Sequence, residues 1–236
     1  MAVFLLDDAL RFPDPHLAEK DGLLAAGGDL RPERLLLAYS QGIFPWSSEG
    51  EPLLWWCPMP RMVLFPEELH IGRSLAKAIR RWKGELRLTF DRDFGGVMRG
   101  CAETPRPGQE GTWITAGLLA SMGELHRRGV VHTVEAWVGD ELVAGIYGLA
   151  LGDVFCGESM FTRRPDASKV AFVALVRQLA AWGCTMIDCQ QPTAHLRRFG
   201  AREIEIDDFL ARLRVGVAAP KLRESWTFEP SFEAWL

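Results

Sequence analysis

The chain has 236 residues, 48% of them apolar and 25% charged, with a net charge of −4, which is ample for a sizeable core and gives no global reason to expect a nucleic-acid partner. Its apolar runs break within about ten residues, well short of the ~20 that span a bilayer. The opening MAVFLLDDALRFPDP lacks the basic start and cleavage site of a secretory signal, so a cytoplasmic protein without a membrane partner is expected. Five cysteines (57, 101, 156, 184 and 189) with no CxxC spacing argue against a disulfide framework or a zinc ribbon, and five histidines without an i, i+4 pair give a metal site no support.

The first sixty residues read as turns around one short helix, GGDLRPERLLLAYSQG, with Pro32 near its start and Gly42 as its stop. GIFPWSSEGEPLLWWCPMPR follows, where four prolines remove backbone donors, so its order is expected from packed aromatic rings. From about residue 61 the pattern changes. A basic helix (70–83), a strand (85–90) and a helix (91–101) lead to the Pro/Gly loop ETPRPGQEGTW and a helix at 115–128. Strands at 130–138, 141–151 and 154–161, joined by Gly139-Asp140 and Gly152-Asp153, form an antiparallel meander. A long helix (166–183), the strand TMIDCQ (185–190), a short helix (193–199), a strand (202–206) and a last helix (207–214) complete the chain. No repeat or low-complexity segment interrupts it.

Two features invite a functional reading. In HIGRSLAKAIRRWKGELR, Arg73, Lys77, Arg80 and Arg81 recur along one helical face. Such a run is most often a solvated face, and on an acidic protein it is also the footprint expected of a phosphate-backbone partner. In TMIDCQ, strand alternation puts Ile187 and Cys189 on one face and Asp188 and Gln190 on the other, an acid and an amide together on a core strand.

The order of meander, long helix, buried strand, short helix and strand is that of the second half of a GNAT-type acyltransferase domain, so the fold class expected is α+β. A CoA-using member needs a glycine-rich loop before the long helix to seat the pyrophosphate on bare backbone amides. Here that place reads RRPDASK, without a glycine. Another acyl donor is implied.

Nine blocks in order, GLLAAGGDL, GIFPW, LWWCPMPR, GTWI, HTVEAW, GESMF, DASK, IDCQ and HLRRFGA, closely resemble the leucyl/phenylalanyl-tRNA–protein transferases. The resemblance implies a small N-terminal α/β domain (1–61) and a GNAT-like catalytic domain (62–236). It implies transfer of Leu or Phe from aminoacyl-tRNA onto proteins beginning with Arg or Lys, marking them for N-end rule degradation, by a monomer without a cofactor. Carried over residue by residue, Trp46 and Trp113 sandwich the terminal adenosine, and Ile146, Phe172, Leu175 and Leu179 line the amino-acid pocket. Arg73, Lys77, Arg80 and Arg81 meet tRNA phosphates. Leu175 and Leu179 stand where aromatic residues occur in relatives, and Met122 where a Tyr does, which leaves the Leu-versus-Phe preference open.

An aminoacyl ester is already activated, so the remaining work is to hold a deprotonated amine near its carbonyl and stabilise the developing oxyanion. Asp188 can accept hydrogen bonds from the amine and orient it, and the sequence leaves open whether it also acts as a general base. Gln190, which donates and accepts without titrating, suits positioning. Glu158, alternating with Cys156 and Met160, is a second carboxylate able to meet the acceptor's cationic side chain. A CoA-dependent acetyltransferase and a non-catalytic tRNA- or peptide-binding module are the competing readings.

Overall fold

The amino-terminal third holds strands that the sequence pattern conceals. The computed structural model describes residues 3–104 and 112–229. The Pro/Gly loop expected before residue 113 therefore lies, apart from its ends, outside the described residues. Strands β1 (Phe4–Leu6), β2 (Leu23–Gly27), β3 (Phe44–Pro45) and β4 (Leu54–Trp56) form a four-stranded sheet in the order β1-β2-β4-β3 around helix α1 (Pro32–Ser40). The reading of this region as turns around a helix is thus corrected. Pro45 is tolerated because β3 is an edge strand, where a missing donor costs no ladder bond. The aromatic packing is present as well: Trp55 is fully buried, and its indole donates to the Gly27 carbonyl at 2.9 Å.

The second sheet has seven strands. They are β5 (Arg61–Leu64), β6 (Leu86–Phe90), β7 (Val131–Val138), β8 (Glu141–Leu151), β9 (Val154–Thr162), β10 (Met186–Gln190) and β11 (Arg202–Ile204), in the order β11-β5-β10-β9-β8-β7-β6. β7 to β9 form the expected antiparallel meander, β6 pairs antiparallel with β7 at the sheet edge, and β10 joins β9 in parallel. β5, unforeseen, inserts antiparallel between β10 and β11. All four of its residues are buried, so it has no alternation to betray it.

Helices cover both faces. On one side α3 (Phe94–Glu103), α4 (Ala116–Arg127) and α7 (Ile206–Val217) share a core with α1 and the small sheet, which leaves the two sheets packed around continuous apolar material. On the other, α2 (Arg73–Trp82) and α5 (Ala167–Ala181) enclose a second core. α5 is buried nearly all round, as its uninterrupted apolar composition dictates. Caps set several boundaries: the side chains of Asp93 and Thr115 accept from Gly96 N and Leu118 N, and Thr193 caps the short α6 (Ala194–Arg197). Among the described residues no helix is long and apolar enough to cross a membrane.

Two irregularities lie side by side where β9 and β10 stop pairing. In β9, Tyr147 pairs with Ser159 and Gly148 with Gly157, which leaves Glu158 as an extra residue. In β10 the register against β5 slips between Asp188 and Gln190, and Gln190 takes φ +62°. The parallel ladder ends at Asp188 opposite Cys156. Beyond it the strands open.

Candidate active site

The β9 bulge reverses the phase of that strand, so Cys156 and Phe161 face one core while Phe155 and Met160 face the other. The simple alternation of Glu158 with Cys156 and Met160 is therefore not what forms. Glu158 projects between two cavities and lines both. Gln190, turned by its left-handed backbone, donates from Nε2 to Glu158 Oε1 at 2.6 Å and also lines both cavities.

Asp188 does something else, and the face it was expected to share with Gln190 does not exist. Its carboxylate receives Arg61 Nε at 2.8 Å and Nη2 at 2.7 Å, and it accepts the Gln190 backbone N–H at 2.9 Å. Both members of the ion pair are only 1% exposed, and Asp188 lines neither cavity. Arg61 lies 5.1 Å from the Phe44 ring and 4.7 Å from that of Phe209, and its Nη1 is left without a hydrogen bond. The neighbouring aspartate raises the Arg61 pKa against the opposing effect of burial. A buried, bidentate pair of this kind is a fixture of the fold, and through the backbone N–H it fixes the turn at Gln190.

Glu158 has no such cation. Burial pushes its pKa up to about 7, partly offset by contacts with Tyr39 and Gln190, while the charge of Asp188 raises it further and that of the more distant Arg61 lowers it. Tyr39, from α1, is itself fully buried, and its hydroxyl is held protonated by burial and by the facing Glu158. The nearby thiols offer no nucleophile, since burial raises the pKa of Cys57, Cys156 and Cys189 alike.

One cavity, of 330 Å³, is mostly apolar and includes Ile146, Phe155, Phe172, Leu175, Ile187 and Met160 in its wall. The other, of 250 Å³, is lined by Phe44, Pro45, Trp46 and Trp113. Trp113, Glu158, Gln190, Gln191 and Thr193 belong to both walls, so the two spaces meet along a polar seam. Of the four expected pocket residues, Ile146, Phe172 and Leu175 are at the surface of the larger cavity. Leu179 is not: it is fully buried one turn farther along α5, inside the core. Trp46 and Trp113 border the same cavity, the first 37% exposed and the second 9%. The four basic residues of α2 are all exposed, and Arg81 is engaged by Asp166 at 2.9 Å.

With this geometry in view, the comparisons are decisive. The description of the leucyl/phenylalanyl-tRNA protein transferase family matches residues 63–214, and that of its N-terminal domain matches residues 28–59. The chain belongs to that family. The leucyl/phenylalanyl-tRNA–protein transferase of Anaeromyxobacter sp. (strain Fw109-5) is 56% identical over 97% of each chain. That of Nitratidesulfovibrio vulgaris is 51% identical over the whole of both chains. Among solved structures, a GCN5-related N-acetyltransferase from Kribbella flavida aligns at a TM-score of 0.37 and 12% identity, over 71% of this chain and 58% of that one. By membership, this is an aminoacyltransferase whose donor is an aminoacyl-tRNA and whose acceptor is a protein.

Sequence reasoning missed Arg61, Tyr39, Phe155 and Ile187. Phe155 and Ile187 were within reach: they are register partners on β9 and β10, just short of the opening. Arg61 gave no local signal, because its partner lies 127 residues away.

Proposed function

We propose that the chain transfers leucine or phenylalanine from tRNA to proteins that begin with Arg or Lys, marking them for N-end rule degradation, and that it does so in the cytoplasm as a monomer. The observation that carries this reading is the shared wall of the two cavities. The larger, apolar one suits a hydrophobic amino-acid side chain. The smaller, bordered by Trp46 and Trp113, suits the terminal adenosine, since base stacking on aromatic rings needs no sequence-specific contact. The ester that joins amino acid to ribose then falls on the seam, beside Glu158 and Gln190.

There the acceptor's amine nitrogen attacks the ester carbonyl, the new C–N bond forms, and the C–O bond to the ribose breaks, with the proton that the nitrogen gives up passing to the ribose oxygen, which leaves as a hydroxyl. An acceptor amine arrives as an ammonium and must lose a proton first. Glu158, with a pKa about 7, is matched to take that proton near neutral pH, and its charge attracts a cationic first residue. Gln190 holds the carboxylate by its amide and presents a polar edge to the same point. Asp188 acts at one remove as a positioning residue, by fixing the turn that aims Gln190.

Incubation with radiolabelled Leu-tRNA or Phe-tRNA and a protein beginning with Arg should move label into protein. An identical acceptor beginning with Ser should stay unlabelled. Label in neither, or equally in both, would overturn the reading.

A further inference from the structure

A third cavity, of 310 Å³, lies between α2, α5 and α6 and is lined by His70, Gly72, Ser74, Asp166, Lys169, His195 and Arg198 among others. Its charge is lopsided. The one acidic side chain in this wall, Asp166, already serves two cations, with one oxygen on Lys169 Nζ at 2.6 Å and the other on Arg81 at 2.9 Å. Arg198 is exposed, and among the described residues its guanidinium has no hydrogen-bond or ion-pair partner. Burial, and then the positive charges of Lys169 and Arg198, lower the pKa of His195. Two helix starts border the space, α2 after Gly72 and α5 after Asp166. The start of α2 has no side-chain cap and no acid in its first turn, which adds to the positive potential, whereas that of α5 carries Asp166 itself as its N-cap.

Position matters as much as charge. Gly72 and Ser74 flank Arg73, where the basic face of α2 begins, while His195 lines both this cavity and the apolar one. The cavity therefore bridges the basic helix and the candidate aminoacyl site. We infer that it seats phosphodiester groups of the donor tRNA's single-stranded 3′ end, with Arg198 and Lys169 as the anionic oxygens' partners. The inference rests on the tRNA-dependent reading above. An acceptor with a cationic amino terminus would be repelled from the same cavity, so the charge also keeps the two substrates apart.

The test compares three donors of increasing length: aminoacyl-adenosine, an aminoacylated CpCpA trinucleotide and full aminoacyl-tRNA. Arg198→Glu should raise KM for the trinucleotide and the tRNA roughly tenfold or more, the usual worth of a charge-assisted hydrogen bond. KM for aminoacyl-adenosine, which has no phosphodiester, should move less than about twofold on the same argument. Arg198→Lys should recover part of the loss, and the salt slope for the trinucleotide should shrink by about 0.7 for each phosphate left without a protein cation. Arg80→Glu on α2 should weaken the tRNA alone. Equal effects of Arg198→Glu on all three donors, or none on the trinucleotide, would overturn the cavity assignment. Direct binding of uncharged CpCpA separates the two claims. Arg198-dependent binding without label transfer from any donor would condemn the functional reading and leave the cavity standing, whereas transfer with binding indifferent to Arg198 would do the reverse.

Discussion

Within three residues the strand β10 serves two carboxylates in opposite ways. Asp188 is sealed, paired to Arg61 through two hydrogen bonds with both groups 1% exposed. Glu158, held by the side chain of Gln190, faces two cavities and has no ion-pair partner among the described residues. A compensated charge is inert and supports the fold. An uncompensated one, made costly by burial, keeps its proton to near neutrality and remains free for chemistry.

The largest effect that sharpens this contrast should come from breaking the sealed pair. Asp188→Asn leaves Arg61 buried without a counter-charge and should cost about 3–5 kcal/mol of stability, read as a large fall in Tm, along with activity. A carboxylate that only touched substrate would leave Tm unchanged. Replacing both partners, Arg61→Met with Asp188→Leu, should restore most of the stability without restoring turnover, because the anchor for the Gln190 N–H is gone. Recovery of both together would mean that the pair does not position Gln190.

Glu158→Gln should cut turnover by ~10²- to 10⁴-fold, with the Arg and Lys acceptors losing most relative to neutral ones. It should also remove a pH dependence of stability. The folded state holds the Glu158 proton up to about pH 7, whereas the unfolded chain releases it near 4.5. Between those values the folded state binds more protons, so wild-type stability should fall relative to the Gln variant as pH rises, by about 3 kcal/mol, and level off above 7. Denaturant titrations of both proteins across pH 4 to 8 would show it; parallel curves would place Glu158 among ordinary carboxylates.

A smaller effect is expected at the rings. Trp46→Ala, at a part-exposed position, should weaken donor binding by ~1 to 3 kcal/mol with little change in Tm. Trp113→Ala removes a buried ring as well and should lose about 3 kcal/mol of stability on top. Smallest should be Arg80→Glu, a salt-dependent loss of tRNA affinity with a slope change of about one unit. Arg81→Glu differs in kind, because it breaks the ion pair to Asp166 that ties α2 to the start of α5.

Much of this molecule was legible in its sequence. The meander, the long helix and the following strand were legible from apolar runs and from turn pairs such as Gly139-Asp140, and the observed strand Glu141–Leu151 has the bounds that its two flanking turns imply. The ordered motifs carried the family. These are local properties, set by which residue follows which. What the tertiary structure alone decided is register. One extra residue at Glu158 and a left-handed Gln190 turned two alternating strands out of phase, and neither irregularity leaves a mark in composition or spacing. The same holds for β5, buried on both faces, and for Arg61, whose partner is 127 residues distant. Sequence could name Asp188, Gln190 and Glu158 as a group. Only the packing of β5 against β10 determined that Asp188 is closed off while the other two face the cavities, because Arg61 spends its two side-chain hydrogen bonds on Asp188 and reaches Glu158 only through its more distant charge.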